Sequence, residues 1–415
     1  MPVIVTIASA GVAHPGRPHI TVVGIGADGW STLPERLQRL VREAEVLLGG
    51  PWHPALVPAV EGQERAAWPS PLRKALPALL GAYDGRTVVA LASGDPLVSG
   101  IGATLVELMG ADRVTVEPTL SSVNLARARM RWSAESTVVV SLVGRDPHLL
   151  LRKLAPGRRM LLLSSDGATP AQVARILTDA GAGRSRVTVL GDLGSPSESR
   201  VDVLAGDGLG VSARLNVTAV EVAGDVATPG WTPGLPDTAY EHDGQLTKRD
   251  LRASVLARLA PRPGELLWDV GAGAASAGIE WMRAHPACRA IAVESHPERA
   301  ARITRNAANL GVPGLEVVHG SAPGALEDLP APDAVFVRGG VSRPGVLDRC
   351  RAALRPGGRL VAHGVTLQTE SLLVGLHAKH GGELTRISVE RAEPIGGYTG
   401  WTPARAVVQW AVSVP

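Results

Sequence analysis

The sequence predicts an α/β protein built from two doubly wound parts in tandem, and three observations predict it. Apolar strand-like runs break into glycine turns twice, at His19–Gly29 (HITVVGIGADG) and at Leu266–Ser276 (LLWDVGAGAAS). Strand-like and helix-like stretches alternate after each turn, which is the pattern of a parallel sheet covered by helices. A chain of 415 residues is also long for one hydrophobic core, so two domains are the default.

Composition narrows the function classes. Hydrophobic residues at 45% and charged residues at 20% suit globular domains, and aromatics at 3% leave the cores to Ala, Val and Leu. A net charge of +3 with no Lys/Arg run argues against a nucleic-acid partner. Cys288 and Cys350 are too few for a disulfide framework or a four-ligand zinc site, so a reducing, cytoplasmic compartment is expected. The histidines show no metal-ligand spacing: His377 and His380 share a helix face but lack a third ligand, and no metal is expected. The N-terminal PVIVTIASAGVA lacks a basic flank, and no stretch approaches ~18 apolar residues, so no membrane partner is expected. Residues 1–17 are expected to be a loose extension, and a homo-oligomer is the expected assembly.

The first strand runs into Gly24, Gly26 and Gly29, a Gly-x-Gly-x-x-Gly turn that serves a dinucleotide as well as other nucleotide-like ligands. A helix follows over Pro34–Ala44, with Leu37, Leu40 and Val41 on one face, and a second one near Leu72–Leu80 after a Pro-rich passage. Strand Thr87–Leu91 ends in Ala92-Ser93-Gly94-Asp95-Pro96, which reads in two ways. One is a rigid turn that aims a carboxylate and carbonyls into the crevice beside the glycine loop. The other is a helix N-cap by Asp95 with Pro96 at the first helical position. Strand Arg113–Val116 leads to Glu117-Pro118-Thr119-Leu120-Ser121-Ser122 and a helix, and strand Thr137–Leu142 leads to Gly144-Arg145. Ala227–Pro236 (ATPGWTPGLP) is too rich in proline and glycine for a helix or a central strand, so residues 226–236 are read as a linker.

In the second part, Thr247-Lys248 opens a helix over Arg249–Leu259, which Pro261 and Pro263 stop. The next glycine turn reads acidic-x-Gly-x-Gly-x-small through Asp269, Gly271, Gly273 and Ala275, with Ser276 where a dinucleotide turn wants its third glycine. A helix at Ala277–Ala284 and a strand at Arg289–Glu294 follow, which places the Glu294 carboxylate where it can take both ribose hydroxyls of a nucleoside. Later strands are expected at Leu315–His319, Ala334–Val337 and Arg359–Ala362, the last after the turn Arg355-Pro356-Gly357-Gly358.

The glycine loop, the Ser-Gly-Asp-Pro turn, the Pro-x-x-Ser-Ser segment and the strand end Ser141-Leu142-Val143-Gly144-Arg145 resemble, in order, the tetrapyrrole methyltransferases of corrin biosynthesis. The family usually has glycine where Thr119 follows Pro118. The resemblance implies a two-lobed tetrapyrrole methyltransferase fold over residues 18–225. Strands around Arg159–Ser164, Arg186–Leu190 and Asn216–Val222 would supply its mixed second lobe. The second half, residues 237–415, resembles the partner methyltransferase of the same pathway. The resemblance rests on Thr247-Lys248, Trp268–Gly273, Ala292–Glu294, Gly320–Pro323 and Val365–Thr369. It implies a Rossmann-like methyltransferase domain, although Ala274-Ala275 and Ser321 depart from the family's usual Ser-Gly and Asp.

Together these resemblances imply an S-adenosylmethionine-dependent C-methyltransferase with two cofactor sites per chain. Its substrate would be the reduced tetrapyrrole precorrin-6Y, methylated at C5 by the first part and at C15 by the second, with loss of an acetate carboxyl. The cofactor residues implied are Gly24, Gly26, Gly29, Ser93, Gly94, Asp95, Pro96, Ser121 and Ser122 in the first part. In the second they are Thr247, Gly271, Ala272, Gly273, Ala274, Ala275, Glu294 and Ala322. Arg127, Arg129, Arg131, Arg145, Lys248, Arg249, Arg338 and Arg343 are candidates for the substrate carboxylates. Two rival readings keep the glycine loops: a two-domain nicotinamide-dependent oxidoreductase, and a cofactor-binding protein without catalysis.

Overall fold

The computed structural model describes residues 19–224, 226, 230 and 232–415, and every element or absence reported below refers to these. The expected extension, residues 1–17, and residues 227–229 and 231 of the expected linker lie outside them. The chain forms two compact units. The first runs to residue 226 without His148–Leu154, and the second is His148–Leu154 with the residues after 226.

The first unit opens with β1 (Ile20–Ile25), α1 (Glu35–Glu43), β2 (Val46–Gly49), β3 (Glu64–Ala67), α2 (Leu72–Gly81), β4 (Val88–Ser93), α3 (Ile101–Met109), β5 (Val114–Glu117) and α4 (Ser122–Met130). Its strands form a parallel sheet in the order β3-β2-β4-β1-β5. Successive side chains of a strand point to opposite faces. Ile20 and Val22 therefore join one buried cluster with Leu76 and Leu105, and Val23 and Ile25 another with Leu37 and Val41 of α1. With both faces covered, β1 and β4 are apolar except for Thr21 and the terminal Ser93, as a buried parallel sheet favours.

The second lobe of this unit holds β6 (Thr137–Ser141), β7 (Arg159–Leu163), α5 (Thr169–Asp179), β8 (Arg186–Gly191), β9 (Ser199–Leu204) and β10 (Asn216–Glu221). Their order is β6-β7-β10-β8-β9, with only the β6/β7 pair parallel.

The second unit runs α6 (Arg249–Leu259), β11 (Leu266–Val270), α7 (Ser276–Ala284), β12 (Arg289–Glu294), α8 (Pro297–Asn309), β13 (Glu316–His319), β14 (Ala334–Val337), α9 (Val346–Ala353), β15 (Arg359–Gly364) and α10 (Leu367–His380). It closes with β16 (Glu383–Ile387), β17 (Glu390–Ile395), β18 (Tyr398–Pro403) and β19 (Val407–Ser413). The sheet order is β13-β12-β11-β14-β15-β19-β16. The first five strands are parallel, and β19 and β16 extend the sheet antiparallel. Strands β17 and β18 form an exposed hairpin. The reversal of strand order at β11 puts the ends of β11 and β14 side by side, the place where such sheets bind ligands.

The turn at Gly234–Thr247 is held to this sheet by a buried network. The Glu280 carboxylate accepts from Gly234 N, Leu235 N, the Tyr240 hydroxyl and Arg252 Nε, and Arg252 is fully buried. Leu235, read as linker, is core of the second unit.

Candidate functional site

In the first unit the three sequence motifs leave from three adjacent strands, β4, β1 and β5, and meet at their carboxyl ends. Gly94 N donates to Ile25 O at 2.9 Å, and Thr119 N donates to Gly94 O at 3.4 Å. A Cβ on Gly24 would lie 2.0 Å from Gly94 O, so only glycine lets these loops close on one another. Above them lies a cavity of about 600 Å³, whose walls come from both lobes of the unit. Gly26, Ser93, Gly94 and Ser122 line it from the parallel sheet, and Ser164, Ser165, Asp192 and Asn216 from the mixed one. Trp52, Leu120, Val143 and Leu215 leave apolar surface exposed at its walls.

The remaining residues implied for this site have other places. Gly24 sets the loop contact, and Gly29 takes a positive φ of 76°. Ser121 caps α4 by accepting from Asn124 N, and Pro96 is buried. The N-cap reading of Asp95 fails: its carboxylate accepts from Leu97 N at 2.9 Å, while α3 begins only at Ile101 after Gly100. Arginines expected to meet the substrate do not line this cavity. Arg129 is paired with Glu198, which also accepts from Gly194 N, so the pair steadies the loop after β8. Arg127 is half-buried, and Arg131 and Arg145 are exposed.

His53 was not legible from the sequence, because it lies in the Pro-rich passage after β2. It is buried against the cavity, accepts from Gly50 N through Nδ1 at 2.8 Å, and meets Ser93 Oγ through Nε2 at 3.0 Å. An Nδ1 that accepts leaves the proton on Nε2, so His53 donates to Ser93 and frees the Ser93 hydroxyl proton for the cavity. Burial lowers its pKa from 6.5 to about 4, which keeps the ring neutral.

The second unit holds a cavity of about 500 Å³ at the ends of β11, β12, β14 and β15. Gly271 and Gly273 both line it with positive φ. A Cβ on Gly271 would lie 2.3 Å from Gly339 Cα, and one on Gly273 would lie 2.5 Å from Gln245 O. Ala272, Ala274 and Ala275 are buried behind this turn, and Ala275 takes a φ of 53° to start α7. Glu294 lines the cavity from the end of β12 although it is 4% exposed. Its oxygens accept from Gly273 N at 2.8 Å and His296 N at 3.0 Å, which leaves lone pairs for a ligand. Thr247 and Ala322 also line the cavity. Behind it, burial raises the Asp269 carboxyl to about 7, against the opposing pull of the Gly278 N–H bond.

Six cations line this cavity: the expected Lys248, Arg338 and Arg343, and the unexpected Arg299, Arg391 and Arg405, against Asp250 and Glu294. Three of them face carboxylates: Arg299 with Asp243, Lys248 with Asp237, and Arg391 with Asp250. Arg343 and Arg405 have no ion-pair partner among the described residues, and Arg249 is exposed outside the lining. Burial lowers the Arg338 pKa, and its Nη atoms point at Gln245 and the Leu246 carbonyl. Arg391 and Arg405 carried no local signal, because only the antiparallel end of the sheet brings them back. His363 lines the cavity one residue beyond the strand end expected at Ala362.

The residues present fit a nucleoside with an amino-acid tail: a turn tight enough for backbone contact, a buried carboxylate with free acceptor sites, and a small residue, Ala322, for a base to lie against. Residues 19–207 match the family model of tetrapyrrole (corrin/porphyrin) methylases, and residues 238–414 that of the precorrin methyltransferase domain. A precorrin-6Y C(5,15)-methyltransferase [decarboxylating] from Sinorhizobium sp is 47% identical over 397 residues, covering 95% of this chain and 96% of that protein. Its namesake from Mycobacterium tuberculosis is 44% identical over 400 residues, covering 95% of this chain and 99% of that protein. The solved C-terminal domain of the Rhodobacter capsulatus precorrin-6Y C5,15-methyltransferase is 46% identical, with a TM-score of 0.42, over 44% of this chain and 99% of that one. With two motif-bearing cavities in one chain and near full-length relatives at this identity, the chain belongs to the family of decarboxylating precorrin-6Y C5,15-methyltransferases.

Proposed function

We propose that the chain methylates precorrin-6Y at C5 and C15 and removes the carboxyl of its ring C acetate, giving precorrin-8X in cobalamin biosynthesis. The first unit would act at C5, and the second at C15 with decarboxylation. The observation that carries this reading is the pair of unlike glycine-loop cavities, whose glycine turns each fall within the residues matched by a different methyltransferase family model. When bound, S-adenosylmethionine supplies an electrophilic methyl on a sulfonium.

The enamine carbons of a reduced tetrapyrrole are nucleophilic without help, so the chain's task is to position and to exclude water. Alignment of this kind accounts for about 7–11 kcal/mol of a barrier at best. In the second unit Glu294 would hold the ribose hydroxyls, Gly271 and Gly273 would admit the tail, and Ala322 would pack on the base. The cationic wall, with Arg343 and Arg405 free of carboxylates, would take the substrate's acid side chains. In the first unit Ser93, with its proton released by His53, would donate to the cofactor beside Gly26, Gly94 and Ser122. Its apolar walls suit the flat face of a macrocycle.

The test is calorimetric titration of the full chain with S-adenosylmethionine and, separately, with nicotinamide dinucleotides. Two methyl-donor equivalents per chain are expected and no nicotinamide binding. A stoichiometry of one would make one loop a structural turn only, and tight nicotinamide binding would favour the oxidoreductase.

A further inference from the structure

One strand separates His363 from the cofactor turn. The histidine stands at the end of β15, beyond β14, whereas Gly271 and Gly273 lie in the turn after β11 and Glu294 ends β12. It therefore faces the part of the cavity left for the substrate. Its ring is 5% exposed and packs edge-on against Phe336, with centroids 5.1 Å apart. On the neighbouring β19 its cross-strand partner is Gln409, whose amide lies 2.8 Å from Nε2.

The orientation of that amide fixes the proton on the ring. Its other end meets Arg258 Nε at 2.9 Å, Arg258 Nη1 at 3.2 Å and Ser254 Oγ at 3.2 Å. Two guanidinium donors require an oxygen there, so the amide nitrogen faces His363 and donates to Nε2. Nε2 thus accepts, and the hydrogen sits on Nδ1, which has no hydrogen-bond partner among the described residues and is not a sealed, unpaired atom. Burial, helped by the charges of Arg338 and Arg258, holds the ring neutral, with its pKa lowered to about 4. The cavity wall around it is cationic, so here an uncharged donor stands where an arginine would make an ion pair.

We propose that His363 Nδ1–H holds the acetate carboxylate that is lost, as a hydrogen-bond donor that orients the group without neutralising it. This rests on the function proposed above and assigns a residue to its decarboxylation. In that step the bond between the acetate methylene and its carboxyl breaks, and its electron pair moves into a protonated imine of the ring. Carbon dioxide leaves, and the methylene then takes a proton to become methyl. The methylated meso carbon gives up its own proton, so the two proton changes cancel. A neutral donor suits this step because the negative charge it contacts must disappear into the ring. A guanidinium in its place would stabilise the carboxylate most in the ground state and oppose its departure.

The experiment follows both products in the full chain with precorrin-6Y and S-adenosylmethionine, comparing wild type with His363→Leu and His363→Asn. Wild type is expected to release one carbon dioxide per methyl placed at C15. His363→Leu, which keeps the apolar contact with Phe336 but has no donor, is expected to lower that ratio at least tenfold while methylation continues. His363→Asn, which restores a neutral donor, is expected to recover most of it. Equal loss of both products in His363→Leu, or an unchanged ratio, would overturn the assignment, as would an Asn variant no better than Leu. No carbon dioxide from the wild type would instead reject the underlying function.

Discussion

Two side chains concentrate the chemistry at the scale of the residue. Glu294 is a buried carboxylate that lines the second cavity and already accepts from two backbone N–H groups. Substituting Glu294→Gln removes charge from the hydrogen bonds it would make to ribose, worth about 1.5–3 kcal/mol. Affinity of the second site for S-adenosylmethionine should fall roughly tenfold or more, and an unchanged calorimetric isotherm would return Glu294 to a purely structural place. For His53 the prediction concerns pH. Its folded pKa of about 4 lies below the ordinary 6.5, so the unfolded chain takes up the proton first as pH falls. The stability it contributes is full above pH 6.5 and is lost toward pH 4, on the order of 3 kcal/mol. His53→Gln should flatten this part of the acid unfolding curve measured by calorimetry, and an equally steep curve would refute the buried neutral ring. Glu294 was legible because a strand-end acid at this spacing has a chemical reason to be there. His53 was not, because a lone histidine among prolines carries no periodicity.

At the scale of elements, most of the parallel strands were readable and the edges were not. Strands β1, β4, β11, β12 and β14 are apolar on both faces and end in glycines or acids, so their sequences mark them. Among the missed strands, β3 is short and half-exposed, β9 is an almost wholly exposed edge, and β2 is a buried apolar run of four residues, too short to separate from the end of a helix by its pattern. The antiparallel extension through β16 and β19 was also passed over, and with it went Arg391, Arg405 and the partner of His363. Two substitutions test how elements are held together. Gly24→Ala would place a methyl 2.0 Å from Gly94 O, which is backbone and cannot swing aside. It should separate the loops of β1, β4 and β5 and abolish cofactor binding in the first unit while leaving the second site intact. Binding by both sites at wild-type strength would show that the loops tolerate separation. Glu280→Ala would leave Arg252 buried without its closest carboxylate, a loss of about 3–5 kcal/mol. Because that network holds Gly234–Thr247 beside the cavity, denaturant unfolding of the second unit should shift by this amount, and a shift under about 1 kcal/mol would mean that water replaces the missing group.

For the whole molecule, the composition limits the plan without settling it: two cores made from Ala, Val and Leu, each with its own glycine turn. A division of labour between them follows if each unit folds with its own site. Gly234 and Leu235 are bound into the second unit, so a cut belongs ahead of them, at residues 227–229. The segment His148–Leu154 groups with the second unit and would be lost from its fragment, which should cost stability. The most direct test of the central claim needs no cut. The purified full chain is incubated with precorrin-6Y and excess S-adenosylmethionine, and the product is analysed by mass spectrometry with labelled methyl donor. The account predicts a product with two methyl groups gained and one carboxyl lost, with carbon dioxide released in equal amount to product. A product with a single methyl, or with two methyls and every carboxyl retained, would contradict it.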